Sequence, residues 1–164
     1  YERFKSCSVT ELAEYVARGI EKYNPDGVFV EGDGVGGGVV DVLKQAGYRV
    51  TEVKTGGGAQ DKEMYGNHRT EMWGRIRDWL PNASIPDDKE LADDLCAPRY
   101  EFTLKGQLKL EPKEKMKKRG FASPDYADAL AMTFSRITSR TDIGSSRRFK
   151  RKKVAANVDC DVFT

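Results

Sequence analysis

Between residues 28 and 38 the chain reads Val28-Phe29-Val30-Glu31-Gly32-Asp33-Gly34-Val35-Gly36-Gly37-Gly38. The apolar run at its start predicts a buried β-strand, and the glycine-rich turn that follows is typical of a strand leading into a helix. Glu31 and Asp33 then lie at a strand end, where carboxylates indicate a divalent metal site. The glycines alone favour a different function, the binding of phosphate by backbone N–H groups.

Helices and strands alternate on both sides of this turn. Ser8 and Glu11 match a capping box that opens a helix, which precedes the strand. A second helix follows the glycines and ends near Gly47, and residues 48–53 alternate as a strand. This strand–helix–strand unit predicts two parallel strands and an α/β fold.

The remainder of the chain predicts three more helices and a hairpin. Apolar residues recur at helical spacing over residues 62–80, and a short helix capped by an aspartate is expected at residues 87–95. Residues 100–110 alternate around Gly106 and predict a hairpin. The last helix is predicted over residues 125–137.

Composition excludes several classes of function. The 164 residues are 33% charged and 38% hydrophobic, which is typical of one globular domain. Three widely separated cysteines and a single histidine argue against a zinc site and against a disulfide framework. No apolar run is long enough for a membrane span. We therefore expect a cytoplasmic protein with no membrane partner.

Positive charge is concentrated near the C-terminus. We expect residues 141–164 to form a flexible basic tail that binds DNA or another acidic partner. The alternative is a solvated tail with no specific partner. Its basic residues are Arg147, Arg148, Lys150, Arg151, Lys152 and Lys153.

A second acidic pair lies far along the chain. Asp125 and Asp128 are spaced i, i+3 near the start of the last predicted helix, so they share one face. Carboxylates from two such elements can hold two Mg²⁺ or Mn²⁺ ions, which activate water in phosphodiester cleavage. The alternative for the helical pair is that it complements the helix dipole.

Two further patterns leave alternatives open. The spacing from Gly32 to Gly37, with Glu52 near the next strand, matches a dinucleotide fingerprint, although the carboxylates of the turn would repel a pyrophosphate. The cluster at residues 65–71 is either an ordinary helix face or a site where Asn67 and Arg69 brace loops or contact phosphate.

Four strings in the same order resemble the nuclease domain of the large terminase subunit, the DNA-packaging motor of tailed bacteriophages. The strings are residues 28–41, 65–73, 113–120 and 123–130, and the similarity extends from about residue 11 to residue 134. Because all four occur in order, the resemblance is more specific than any one string.

The resemblance implies a ribonuclease H-like α/β fold, with a central mixed sheet flanked by helices, over residues 1–140. It implies a two-metal-ion endodeoxyribonuclease that uses Mg²⁺ or Mn²⁺ and cuts concatemeric viral DNA in the bacterial host, from a phage or a prophage. Glu31 matches the family's second acidic position and Asp125 the third, with Asp33 and Asp128 as second candidates. The implied partners are double-stranded DNA and, in the intact protein, the portal and the small terminase subunit.

A basic stretch in the third string predicts DNA contacts, since phosphate contacts need cations but no particular base sequence. The alternative is a solvated basic stretch. The residues concerned are Lys113, Lys117, Lys118 and Arg119.

The chain departs from the family pattern at its start. The family's first aspartate lies on an opening strand hairpin, whereas no aspartate precedes Asp26 here. We therefore expect an N-terminally truncated domain with weak metal binding and weak or no cleavage by this chain alone. Two other functions stay open, a nucleotide- or dinucleotide-binding α/β domain and a non-catalytic module that binds DNA or the portal.

Overall fold

A computed structural model describes Phe4 and residues 6–136, and the predicted basic tail lies outside these residues. The order of elements is α1 (Val9–Tyr23), β1 (Phe29–Glu31), α2 (Gly36–Gln45), β2 (Thr51–Val53), α3 (His68–Trp79), α4 (Lys89–Cys96), β3 (Tyr100–Phe102), β4 (Leu108–Leu110), α5 (Lys113–Lys118) and α6 (Asp125–Met132). A short 3₁₀ turn, Leu80–Asn82, follows α3. In this part of the chain, no helix combines the length and the apolar character that crossing a membrane requires.

The strands form two pairs. β1 and β2 are parallel, with Glu31 opposite Val53, which confirms the predicted strand–helix–strand unit. β3 and β4 form the predicted antiparallel hairpin, and Gly106 takes a φ of +77° in its turn. Within residues 6–136 these pairs are separate sheets, so the fold is mixed α/β and the single central sheet stays a prediction.

β1 lies between two layers of helices, which explains the apolar run from Val28 to Val30 that precedes Glu31. Phe29 packs against a core cluster contributed largely by α3 and α6, with Trp73 and Ala127 among its members. The next residue, Val30, packs against a cluster that includes Ala13 of α1 and Leu43 of α2. Successive residues of a strand face opposite sides, so burial on both sides needs apolar residues at every position.

Local hydrogen bonds explain the helix boundaries. Ser8 and Glu11 form the predicted capping box of α1. α3 begins at His68 and not at residue 62, because the Asn67 side chain accepts the Thr70 N–H at 2.9 Å and caps the helix there. α6 ends at Met132, short of the predicted residue 137, because residues 133–135 form i→i−3 backbone hydrogen bonds instead of continuing the α-helix.

Two glycines shape the turn between β1 and α2. Gly34 takes a φ of +72°, a left-handed conformation that favours glycine. At Gly36, a β-carbon would lie 1.9 Å from the Glu31 carbonyl oxygen, so the first turn of α2 approaches the strand end more closely than a side chain permits. The geometry of the turn therefore explains the presence of Gly34 and Gly36 without a bound phosphate.

Gly36→Ala is expected to destabilise the fold by about 3 kcal/mol, because backbone atoms must move to relieve the clash. Gly19→Ala is the matched control, since Gly19 lies within α1 and a β-carbon there meets nothing within 4 Å. That control is expected to gain about 0.5–1 kcal/mol from helix propensity. Urea unfolding measures both, and a Gly36→Ala variant as stable as the parent would show that α2 does not approach β1 this closely.

Candidate functional site

Glu31 and Asp33 meet at a single hydroxyl group. The Thr55 Oγ1 lies 3.0 Å from Glu31 Oε1 and 2.9 Å from Asp33 Oδ2. Thr55 follows β2, the parallel neighbour of β1, so both strands bring their carboxyl ends to this point. Hydrogen bonds of this length to one oxygen place the two carboxylate oxygens within about 6 Å of each other.

Backbone groups hold Asp33 in its charged form. Its Oδ2 accepts the N–H of Thr55 at 2.8 Å and that of Gly56 at 3.1 Å. The pKa of Asp33 is lowered from its ordinary value, first by the Gly56 N–H and then by the Thr55 hydroxyl, with a smaller contribution from Lys54. Asp33 is therefore anionic at neutral pH.

Glu31 is half-buried and Asp33 is exposed, and they differ from the more enclosed carboxylates of the described residues in lacking an ion pair. Glu71, Glu111 and Asp128 each form an ion pair with an arginine. For Glu31 and Asp33, no lysine, arginine or histidine of the described residues lies within ion-pair distance. Within the described residues, the negative charge at the end of β1 is therefore offset only by the longer-range attraction of Lys54 and not by an ion pair.

Asp128 lies at the centre of a second cluster, where two basic side chains surround it. Its Oδ1 accepts Arg69 Nε at 3.0 Å and Trp73 Nε1 at 2.9 Å, and Lys113 Nζ lies 2.9 Å from Oδ2. The Asp128 side chain is only 16% exposed and that of Arg69 only 12%. A cation that bound Asp128 would have to compete with these partners.

Arg69 connects the strand end that carries Glu31 and Asp33 with the cluster around Asp128. Its backbone N–H donates to the Thr55 carbonyl at 3.1 Å, while its guanidinium reaches Asp128 in α6. The start of α3, the end of β2 and the first turns of α6 therefore meet on one side of the molecule. Asp125 is exposed, one helical turn before Asp128, and is the first residue of α6.

The predicted DNA-contacting residues divide into two groups. Lys117 and Lys118 are exposed on α5. Lys113 instead pairs with Asp128, and Arg119 donates to Glu111 and to the Ala97 carbonyl. Of these four residues, only Lys117 and Lys118 are exposed enough for a phosphate to reach them freely.

The Glu111–Arg119 pair predicts a dependence of stability on pH. The hydrogen bond from Arg119 keeps the pKa of Glu111 below its ordinary value, so its stabilising effect is complete above the unfolded pKa of about 4.3 and is lost as the pH falls through the lower folded pKa. As the pH falls from about 5 to about 2, the free energy of unfolding should decrease less in Glu111→Gln than in the parent. Urea unfolding measures this difference. Glu14→Gln, in an exposed pair with Arg18, serves as the control, and an unchanged pH profile for Glu111→Gln would contradict this role.

Sequence reasoning missed Thr55 and left the partner of Arg69 undetermined. Thr55 follows a short strand and carries no motif, and the one available signal is its position at the end of a strand parallel to β1. Arg69 pairs with a residue 59 positions away, which only tertiary packing reveals.

The donors at the strand end fit a hard divalent cation. Carboxylate oxygens are ligands that Mg²⁺ and Mn²⁺ prefer, and the low pKa of Asp33 keeps its carboxylate charged. Among residues 6–136, however, no three histidine, cysteine, aspartate or glutamate side chains converge as a complete metal site. The strand end thus offers part of a coordination sphere.

Comparison with known proteins gives matches in structure alone. No protein-family model and no curated protein matches the chain. The nuclease domain of the large terminase subunit gp2 of bacterial virus Sf6 superposes with a TM-score of 0.65 at 22% identity, covering 77% of this chain and 72% of that chain. A mutant of that domain with manganese gives a TM-score of 0.64 at 21% identity, covering 76% and 72%. A mutant with calcium gives 0.63 at 22%, covering 76% and 71%. The chain therefore has the fold of the nuclease domain of a phage large terminase subunit.

Proposed function

We propose that this chain is a divalent-metal-dependent endodeoxyribonuclease domain of a phage DNA-packaging terminase. The observation that carries the proposal is the pair Glu31 and Asp33, held by Thr55 at the end of β1 and lacking a basic partner in the described part of the chain. The fold supports the same function, since the solved structures it resembles are nuclease domains.

The proposed cofactor is Mg²⁺ or Mn²⁺, with two ions in the complete domain. Support comes from the oxygen donors at the strand end and from similar structures that carry manganese or calcium. A cation held there supplies the positive charge that activates water and stabilises the charge developing on a phosphodiester.

Each acidic residue has a distinct proposed role. Glu31 and Asp33 hold the cation, and Thr55 fixes the spacing between them. Asp125 of α6 is the proposed further ligand, although within residues 6–136 it does not converge with Glu31 and Asp33 into a group of three carboxylates. Asp128 contributes mainly by fixing α6 to Arg69 and Lys113, and it becomes a ligand if those partners move.

The proposed substrate is double-stranded concatemeric viral DNA in the bacterial host cytoplasm. Exposed Lys117 and Lys118 supply phosphate contacts, which are independent of base sequence. In the intact protein the portal and the small terminase subunit are the proposed assembly partners.

Nicking of supercoiled plasmid tests the activity. We expect at most slow nicking by this chain, dependent on added Mn²⁺, absent in EDTA and lost in Glu31→Gln. Glu14→Gln, in the exposed pair on α1, is expected to nick like the parent. Nicking that persists in EDTA or in Glu31→Gln would contradict the assignment of the chemistry to the end of β1.

A further inference from the structure

The β3–β4 hairpin turns an apolar stripe toward solvent. Tyr100, Phe102 and Leu104 alternate along one strand and its turn, so they share one side. Their exposed fractions are 67%, 67% and 109%, and the two aromatic rings contact edge to face with centroids 6.0 Å apart. A stripe of this kind on a packed hairpin normally faces the core, and its exposure indicates a binding surface.

β4, the inner strand of the hairpin, attaches it to the body of the protein. The Leu108 N–H donates to the Met64 carbonyl at 2.8 Å, and the Leu110 N–H donates to Thr70 Oγ1 at 3.0 Å. Gln107 Nε2 also donates to the Lys62 carbonyl at 2.6 Å. β3, the outer strand, therefore holds the rings of Tyr100 and Phe102 on a fixed support, which lowers the entropic cost of binding.

The segment that carries the stripe is rich in positive charge. Residues 99–119 contain eight basic and three acidic residues. Of the acidic ones, Glu111 is neutralised by Arg119, and Glu101 pairs with Lys115 at 3.2 Å, which brings α5 beside β3. The third, Glu114, is exposed in the first turn of α5. The exposed lysines of this segment are Lys105, Lys115, Lys117 and Lys118.

We propose that the hairpin and α5 bind single-stranded DNA, with unpaired bases stacked on Tyr100 and Phe102 and phosphates held by the lysines of α5. Exposed aromatic rings inside a basic surface are the combination that single-strand binding requires, since every base has a face that stacks. A duplex hides those faces, and an apolar protein partner would not need the surrounding positive charge. This surface goes beyond the proposed cleavage function and does not depend on the strand-end carboxylates.

Fluorescence anisotropy with a labelled oligothymidylate of about 16 nucleotides tests the proposal in EDTA, so that no metal site contributes. We expect Tyr100→Ala with Phe102→Ala to weaken binding about tenfold or more while the slope of log affinity against log salt stays unchanged. Lys117→Gln with Lys118→Gln should instead reduce that slope, by about 0.7 for each phosphate that the protein no longer neutralises. Tyr23→Ala removes an equally exposed ring on α1 and should bind like the parent.

Substitutions at Phe102 separate stacking from general apolar contact. Phe102→Tyr should retain the affinity, whereas Phe102→Leu should lose most of what Phe102→Ala loses. Equal binding by Phe102→Leu and the parent would overturn the proposal. An equal loss of affinity for duplex and single strand would also overturn it, and so would self-association of the chain through this hairpin in sedimentation.

Discussion

Glu31→Gln combined with Asp33→Asn is expected to lower the affinity of the chain for Mn²⁺ at least about 100-fold, because both anionic donors become neutral amides while the fold is kept. Calorimetric titration of Mn²⁺ into metal-free protein measures the effect. Glu14→Gln removes an exposed carboxylate from α1 and should leave the affinity unchanged. Equal binding by the double variant and the parent would place the ions elsewhere.

Thr55 gives a finer test of the same geometry. Thr55→Val keeps the shape of the side chain and removes the hydroxyl that lies between Glu31 and Asp33. Loss of such an outer partner typically costs 10- to 100-fold in metal affinity, so about tenfold is expected. Thr55→Ser restores the hydroxyl and should bind within about threefold of the parent, since the outer partner is kept. If valine and serine gave the same affinity, the shared hydroxyl would have no role in positioning the carboxylates.

Asp128→Ala is expected to destabilise the fold by about 3 kcal/mol. The substitution leaves the enclosed Arg69 guanidinium, the Trp73 indole N–H and Lys113 without their common acceptor. Breaking a buried pair from one side costs more than the pair contributes, because the remaining charge stays desolvated.

An exposed pair provides the control for that experiment. Asp93 pairs with Lys89 on the surface of α4, where both side chains are largely exposed. Asp93→Ala should change stability by less than about 0.5 kcal/mol in the same urea unfolding experiment, since exposed pairs contribute little. If the two variants were equally stable, Asp128 would not anchor α6 to α3.

Elements that depend on neighbouring residues could be predicted from the sequence. The capping box at Ser8, the strand before the glycine turn and the hairpin around Gly106 all arise from short-range spacing, and the structure contains each of them. The predicted start of α3 at residue 62 was wrong. Apolar spacing extends back to that residue, but the Asn67 side chain caps the helix and α3 begins at His68.

Features that depend on tertiary packing could not be predicted in the same way. The basic stretch before Gly120 suggested four equivalent DNA contacts, but folding turns Lys113 toward Asp128 and Arg119 toward Glu111. Those acceptors lie 15 and 8 positions away in sequence, in α6 and in the loop before α5. Thr55 is likewise informative only because β2 lies parallel to β1.

The most direct test of the proposed metal site at the end of β1 is to locate the residues at which Mn²⁺ binds. In a ¹⁵N-correlated NMR spectrum, Mn²⁺ should broaden the amide signals of residues 31–34 and 55–56 first, with recovery on adding EDTA. The amides of residues 13–20 in α1 should stay sharp at the same concentration. If the signals at residues 31–34 stayed sharp while others broadened, or if no signal responded, the carboxylates at the end of β1 would not form the metal site of this protein.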